Sequence, residues 1–253
     1  MTTQKTIAQG TEKHLQIKNN KIDKCFSVGA EAIITLKDNQ IIKNRIKKSY
    51  RIKEIDEKLR KSRTKSEAKI INKLKDIIPV PKIISSDEKQ EIIMQYIPGK
   101  KLSDFLESLD YKKISKIIAE NITKMHNQGI IHGDLTTSNM IYVENLKNDD
   151  SDASLNQQHP HLKNLAINNK FININKKLAK LYFIDFGLAF HSNKIEDKAV
   201  DLHLLQQALE AKHFTIWQQC WKIILDNYNA NQSKEILQRI KVIESRGRYK
   251  DKY

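Results

Sequence analysis

The chain has 253 residues, 39% hydrophobic and 30% charged, enough for a real core in one or two domains and fitting a soluble globular protein. Met1–Asn20 is polar, and no run approaches the roughly 20 apolar residues that span a bilayer, so neither a secretory leader nor a membrane contact is expected. The formal charge is +15, and residues 37–75 carry fifteen Lys or Arg against five Asp or Glu, a net of +10.

Such a block is either a solvated helix face or a surface for an acidic partner or nucleic acid. The chain is rich in Lys, Ile and Asn, a bias that coding composition alone can produce. Cys25 and Cys220 lie far apart and match no metal spacing, as expected of idle thiols in a reducing compartment.

In chain order, Cys25 to Lys48 reads as strands, with a turn at Asn39. Glu54 to Lys75 changes to a helical period, with Ile55, Leu59, Ser66, Ile70 and Leu74 mostly on one face. Pro79 and Pro81 end it. Ile83-Ile84 and Ile92-Ile93-Met94 are short strands joined by the polar turn Ser85–Lys89, and Pro98-Gly99 breaks the chain. Helices then dominate: Leu102–Leu109 with Ser103 as a candidate cap, Ile114–His126, Lys198–Lys212, Ile216–Tyr228 and Ser233–Glu244. Met140–Val143 and Leu181–Ile184 read as two strands. Between them, residues 144–180 are dominated by Asn, Lys, Asp and Gln, a long insertion or flexible loop. His159-Pro160-His161 within it lacks a Cys or carboxylate at ligand spacing and is not read as a metal site.

The chemistry concentrates in Ile131-His132-Gly133-Asp134-Leu135-Thr136-Thr137-Ser138-Asn139 and in Ile184-Asp185-Phe186-Gly187. An Asp, an Asn five positions on, and a second Asp opening Asp-Phe-Gly are what phosphoryl transfer from ATP needs. Asp134 orients the proton of the nucleophile, while Asn139 and Asp185 hold Mg2+ against the phosphates. The gap from Asn139 to Asp185 is 46 positions, and the polar insertion accounts for its length. His132 is expected to pack under the loop and bond to backbone. Lys43 ends an Ile-Ile-Lys strand and Glu67 sits mid-helix downstream, the arrangement in which a Lys–Glu pair aims the ammonium at the phosphates. A Gly-x-Gly-x-x-Gly is absent, and Gly29 alone must serve the phosphate-covering turn. Backbone groups of Gln95 and Ile97 are the candidates to meet adenine.

These segments together resemble the small atypical kinase of the KEOPS complex, the Bud-site-selection kinase family. The resemblance rests on Gly29-Ala30-Glu31-Ala32, Ile42-Lys43 with Tyr50-Arg51, Asp56-Glu57-Lys58-Leu59-Arg60, Arg63-Thr64 and Glu67-Ala68. It continues through His132 to Met140, Asp185 to Ala189 and Glu196-Asp197-Lys198-Ala199-Val200-Asp201-Leu202. It implies an α+β, minimal two-lobed protein-kinase-like fold, with a strand-rich N-lobe holding one long helix and a mostly helical C-lobe. The expected divisions are a tail at 1–24, the N-lobe at 25–97, the C-lobe at 98–245 with the 144–180 insertion, and a basic tail at 246–253. The resemblance further implies an ATP- and Mg2+-dependent Ser/Thr kinase or ATPase supporting threonylcarbamoyladenosine formation in tRNA. Its partners would be the tRNA-modifying threonylcarbamoyltransferase subunit and small KEOPS subunits, with tRNA met through the complex, in the cytoplasm and/or nucleus. Asp201 resembles the buried Asp that braces the catalytic loop; a plain helix cap is the simpler alternative.

Within the kinase pattern, Gly133 stands where an Arg would clamp a phosphorylated activation segment, and Thr136 where a phosphate-binding Lys often stands. About a dozen residues separate Gly187 from the next helix, too few for a long peptide-docking segment. These losses favour ATP hydrolysis. The tail Arg246-Gly247-Arg248-Tyr249-Lys250-Asp251-Lys252-Tyr253 is less basic than the family's, diluted by Asp251. Two other readings stay open: a small-molecule or RIO-like kinase, and a non-catalytic scaffold that binds partners or tRNA.

Overall fold

The computed structural model describes residues 15–18, 21–28, 31–144 and 180–247. Strands β1 (Leu15–Lys18), β2 (Lys21–Val28), β3 (Ala32–Lys37) and β4 (Gln40–Arg45) are followed by helix α1 (Lys53–Leu74) and strands β5 (Ile83–Ser86) and β6 (Glu91–Gln95). They form one antiparallel sheet in the order β1-β2-β3-β4-β6-β5. The sheet therefore begins at Leu15, ahead of the expected boundary at Cys25. The β3–β4 hairpin closes on Asp38 and Asn39, with φ of 47° and 60°. Two successive left-handed residues match the twist of the flanking strands, and Asn and Asp tolerate that region best.

Helix α1 runs for 22 residues, one residue off the expected span at each end. Its buried face differs from the apolar stripe read from periodicity. Ile55 is 51% exposed, whereas Asp56 is fully buried, together with Thr64, Glu67, Ile70, Ile71 and Leu74. The first turn is held by charge. Asp56 accepts hydrogen bonds from the Lys48 amide and from Arg60 Nε at 3.3 and 2.7 Å, with Arg51 at 3.7 Å. Only the last turns join the apolar core.

After β7 (Lys100–Lys101) come α2 (Leu102–Phe105), a 3₁₀ turn at Leu106–Ser108, α3 (Tyr111–Asn127), β8 (Ile130–Ile131), β9 (Met140–Val143) and β10 (Lys180–Phe183). The remainder is β11 (Phe190–His191), α4 (Ile195–Lys212), α5 (Trp217–Asn227) and α6 (Ser233–Gly247). Ser103 lies inside α2 and bonds Asp104, so it is not the cap expected of it. Asp110 caps α3 by accepting from the Lys113 amide.

Ile114, Ile118, Ile122 and Met125 of α3 share a face and are buried. They pack with Leu202, Leu205 and Leu209 of α4, Ile224 of α5 and Ile236 and Ile240 of α6. Burying each such side chain contributes about 1.5–3 kcal/mol before entropy is charged against it. Cys220 is in this core, and burial pushes its thiol pKa up, which keeps it unreactive.

The antiparallel pair β9–β10 brings the two ends of residues 145–179 together, and the Phe183 amide bonds Pro79 O at 2.9 Å. Lys180, expected inside the insertion, is the first residue of β10. Gly29, residues 145–179 of the insertion with His159-Pro160-His161, and residues 248–253 lie outside the described residues. Among those described, no helix is long and apolar enough to cross a membrane.

Candidate active site

The cleft between the sheet and the helical lobe has a volume of about 420 Å³. Ile34, Ile41, Met94, Ile141 and Ile184 give it apolar walls, and Lys43, Glu67, Asn139 and Asp185 supply polar groups. Gln95, Tyr96 and Ile97 also line it. An apolar cleft with a cluster of charged groups suits a ligand that has an apolar and an anionic part.

Lys43 lies on β4 facing inward and is 6% exposed. Its Nζ donates to Glu67 Oε1 and to Asp185 Oδ1, both at 2.7 Å. Residues 24 and 142 positions apart thus meet at one ammonium. Burial alone would lower the Lys43 pKa, but the two carboxylates outweigh it and hold the group above its usual value, so it stays cationic.

Asp185 has φ +59°, a left-handed backbone that carries its carboxylate into the cleft. The side chain is half exposed there. Its partial burial would raise its pKa, but Lys43 and the Gly187 amide overcome this and keep it below the usual carboxylate range.

Asp134 lies in the loop after β8. Asn139 Nδ2 donates to the Asp134 backbone oxygen and to its Oδ2, each at 2.9 Å. That use of the amide nitrogen leaves Asn139 Oδ1 as an oxygen donor beside the cleft. The Ile184 amide bonds Asn139 O at 2.9 Å, so the catalytic-type loop and the Asp185 strand are stitched together.

Asp201 is fully buried and is not a cap, because α4 starts at Ile195. Its Oδ2 accepts from the His132 amide and its Oδ1 from the Gly133 amide, both at 2.9 Å, and His126 Nε2 is 3.1 Å away. Burial would raise its pKa, but these partners outweigh it and hold the carboxyl below its usual value. His132 Nε2 contacts Ile184 O at 3.2 Å and its ring packs on Phe186, in keeping with a packing role.

Gly133 has φ +77°, and a Cβ there would lie 2.5 Å from Leu188 O. An Arg has no place at this position. Only residues 188–194 separate Gly187 from α4. That segment pairs straight back onto β8 through β11, and the Ser192 amide bonds Gly129 O.

The site also holds a residue that the sequence reading missed. Arg45, 4% exposed, donates from a terminal guanidinium nitrogen to Glu67 Oε2 at 2.5 Å. Strand alternation puts positions 43 and 45 on one face but does not reveal the partner of Arg45.

Residues 19–182 match the RIO domain family. The chain is 37% identical to the KEOPS complex subunit Bud32 of Pyrococcus abyssi, across 90% of this chain and 97% of that one. It is 35% identical to a probable serine/threonine-protein kinase BUD32 homolog of Archaeoglobus fulgidus, across 88% and 94%. It is also 36% identical to a probable bifunctional tRNA threonylcarbamoyladenosine biosynthesis protein of Methanobrevibacter smithii, covering 94% of this chain and 38% of that longer one. Among solved structures it resembles the ADP/Mg2+-phosphoaspartate complex of Rio2 kinase from Chaetomium thermophilum, with TM-score 0.52, 15% identity, and 88% and 70% coverage. This last likeness speaks to fold alone. The RIO-like alternative and the Bud-kinase resemblance thus describe the same lineage, and the chain belongs to the Bud32 family of RIO-domain serine/threonine protein kinases.

Proposed function

We propose that the cleft binds ATP with Mg2+ and that the chain turns it over as the kinase-fold ATPase of a KEOPS-type assembly making threonylcarbamoyladenosine in tRNA. The observation that carries this reading is the convergence of Glu67 and Asp185 on one buried ammonium, Lys43. Lys43, steadied by Glu67, meets the α and β phosphates. The Gln95 and Ile97 backbones meet the adenine edge. Asp134, oriented by Asn139, receives or directs the proton of the attacking water or hydroxyl.

The donor set suits Mg2+. Asn139 Oδ1 and the outer oxygen of Asp185 are hard ligands, and that ion is usually held by one or two protein oxygens together with phosphates. Among the described residues, no group of three or more His, Cys, Asp or Glu could hold a metal ion. When bound, it would neutralise charge developing on the phosphates.

Assembly with a threonylcarbamoyltransferase subunit and small KEOPS subunits is supported by the relatives named as Bud32 subunits and by the fused biosynthesis protein. In this reading the N-lobe meets a small subunit, and the C-lobe and tail meet the modifying enzyme. Water is the favoured acceptor, because residues 188–194 leave little with which to hold a peptide.

The test uses γ-labelled ATP and the assembled complex, with free phosphate and labelled protein counted separately. Free phosphate should dominate, and Asp185→Ala should lower it about 10²-fold or more. Unchanged turnover in that variant would refute the reading.

A further inference from the structure

Glu67 answers two cations. Lys43 Nζ takes Oε1 at 2.7 Å and the Arg45 guanidinium takes Oε2 at 2.5 Å. Arg45 stands two residues beyond Lys43 on the same face of β4. Its Nε is buried and has no hydrogen-bond partner among the described residues, so its terminal nitrogen makes the contact with Glu67. A Cβ on Gly187 would lie 3.3 Å from the Arg45 guanidinium, which places that group against the loop carrying Asp185. Lys43, Arg45, Glu67 and Asp185 together form a neutral set of two cations and two anions.

The two cations have different duties. Lys43 already divides itself between Glu67 and Asp185, and in the ATP reading it is shared with phosphate as well. Arg45 makes its ion pair with Glu67 and cannot let go without leaving an unpaired charge in the interior. The rest of α1 is secured elsewhere. Its first turn is tied at Asp56, and its last turns are in the core through Ile70, Ile71 and Leu74. Glu67 is the point at which the middle of the helix meets the cleft.

We infer that Arg45 is a positioning residue, an internal tether that keeps Glu67 and the middle of α1 at the cleft whether or not Lys43 is engaged by phosphate. In kinases that are switched, placement of this helix is controlled from outside by a phosphorylated segment. Here Gly133 and the seven residues after Gly187 leave no such control, and the tether makes the placement permanent. Its purpose rests on the ATP-site reading, but its test does not.

The experiment is amide hydrogen exchange on the free full-length protein, comparing Lys43→Met with Arg45→Met. Arg45→Met should raise exchange across residues 62–70 by about ten-fold or more and leave residues 114–125 of α3 at wild-type rates. Lys43→Met should stay within about two-fold of wild type at residues 62–70. The inference is overturned if Lys43→Met loosens the helix as much as Arg45→Met, if Arg45→Met leaves it unchanged, or if α3 loosens in step. Should Arg45→Met not fold, Arg45→Gln is judged by the same criteria. Absent ATP turnover in the wild type would sink the nucleotide reading and still leave the exchange comparison to decide on Arg45.

Discussion

Gly133 carries two constraints at once. Its φ of +77° is a region that L side chains rarely adopt, and the Leu188 carbonyl occupies the space a Cβ would need. The glycine does more than omit an arginine: it lets residues 188–194 fold directly over the catalytic-type loop. Gly133→Ala should therefore destabilise the protein by at least about 1–3 kcal/mol, read from the urea midpoint, and lower ATP turnover more than stability alone explains. Lys43, Glu67, Asn139 and Asp185 were legible because each belongs to a spaced pattern with chemical meaning. Arg45 was not, because in Ile42-Lys43-Asn44-Arg45 it reads as one more surface charge in a basic segment. Its role depends on the second oxygen of Glu67, which no spacing reveals.

At the scale of elements, α4 holds the catalytic-type loop through Asp201, and α3 joins the same cluster through His126, whose Nδ1 lies 2.8 Å from the Tyr228 hydroxyl. Burial and the neighbouring Asp201 charge raise the Tyr228 pKa far above its usual value, so this hydroxyl keeps its proton. The Asp201 carboxyl is held below its ordinary value of about 3.9. A depressed carboxyl contributes stability that is fully present above the unfolded value and is lost as pH falls through the folded one. Wild-type Tm should thus fall steeply below about pH 4. Asp201→Asn should cost about 1.5–3 kcal/mol at neutral pH and show a shallower acid decline in calorimetry. A parallel acid decline in both proteins would show that other carboxylates carry it. Helix α1 shows why element faces are harder to read than element spans. Its ends were legible from the prolines and the period. Its first buried residue is Asp56, not Ile55, because arginines from the preceding loop and from position i+4 make a buried carboxylate favourable there.

At the scale of the molecule, the two-lobed architecture was legible from the order of strand-like and helix-like runs, and α3, α4, α5 and α6 each lie within three residues of expectation at their ends. Two features escaped. The sheet takes in β1 and the first half of β2, Lys21–Lys24, from a segment whose polarity reads as a tail, since backbone pairing at the sheet edge needs little apolar sequence. The three-stranded sheet β10-β9-β7 includes the two-residue β7, too short to announce itself by alternation. The basic excess of residues 37–75 is divided in the folded chain. Lys43, Arg45, Arg51, Arg60 and Arg63 are engaged by Glu31, Asp56, Glu67 and Asp185, while Lys53, Lys58, Lys61, Lys65 and Lys69 of α1 are exposed. The same segment therefore lines the interior of the cleft and leaves a cationic helix face toward solvent.

The most direct measurement is the threonylcarbamoyladenosine content of tRNA after reaction with the reconstituted assembly carrying Lys43→Met and Asp134→Asn together, with assembly verified by co-purification. The account predicts that modification falls to background while the complex stays intact. Wild-type levels of modification with that double variant would contradict it and make the chain a scaffold.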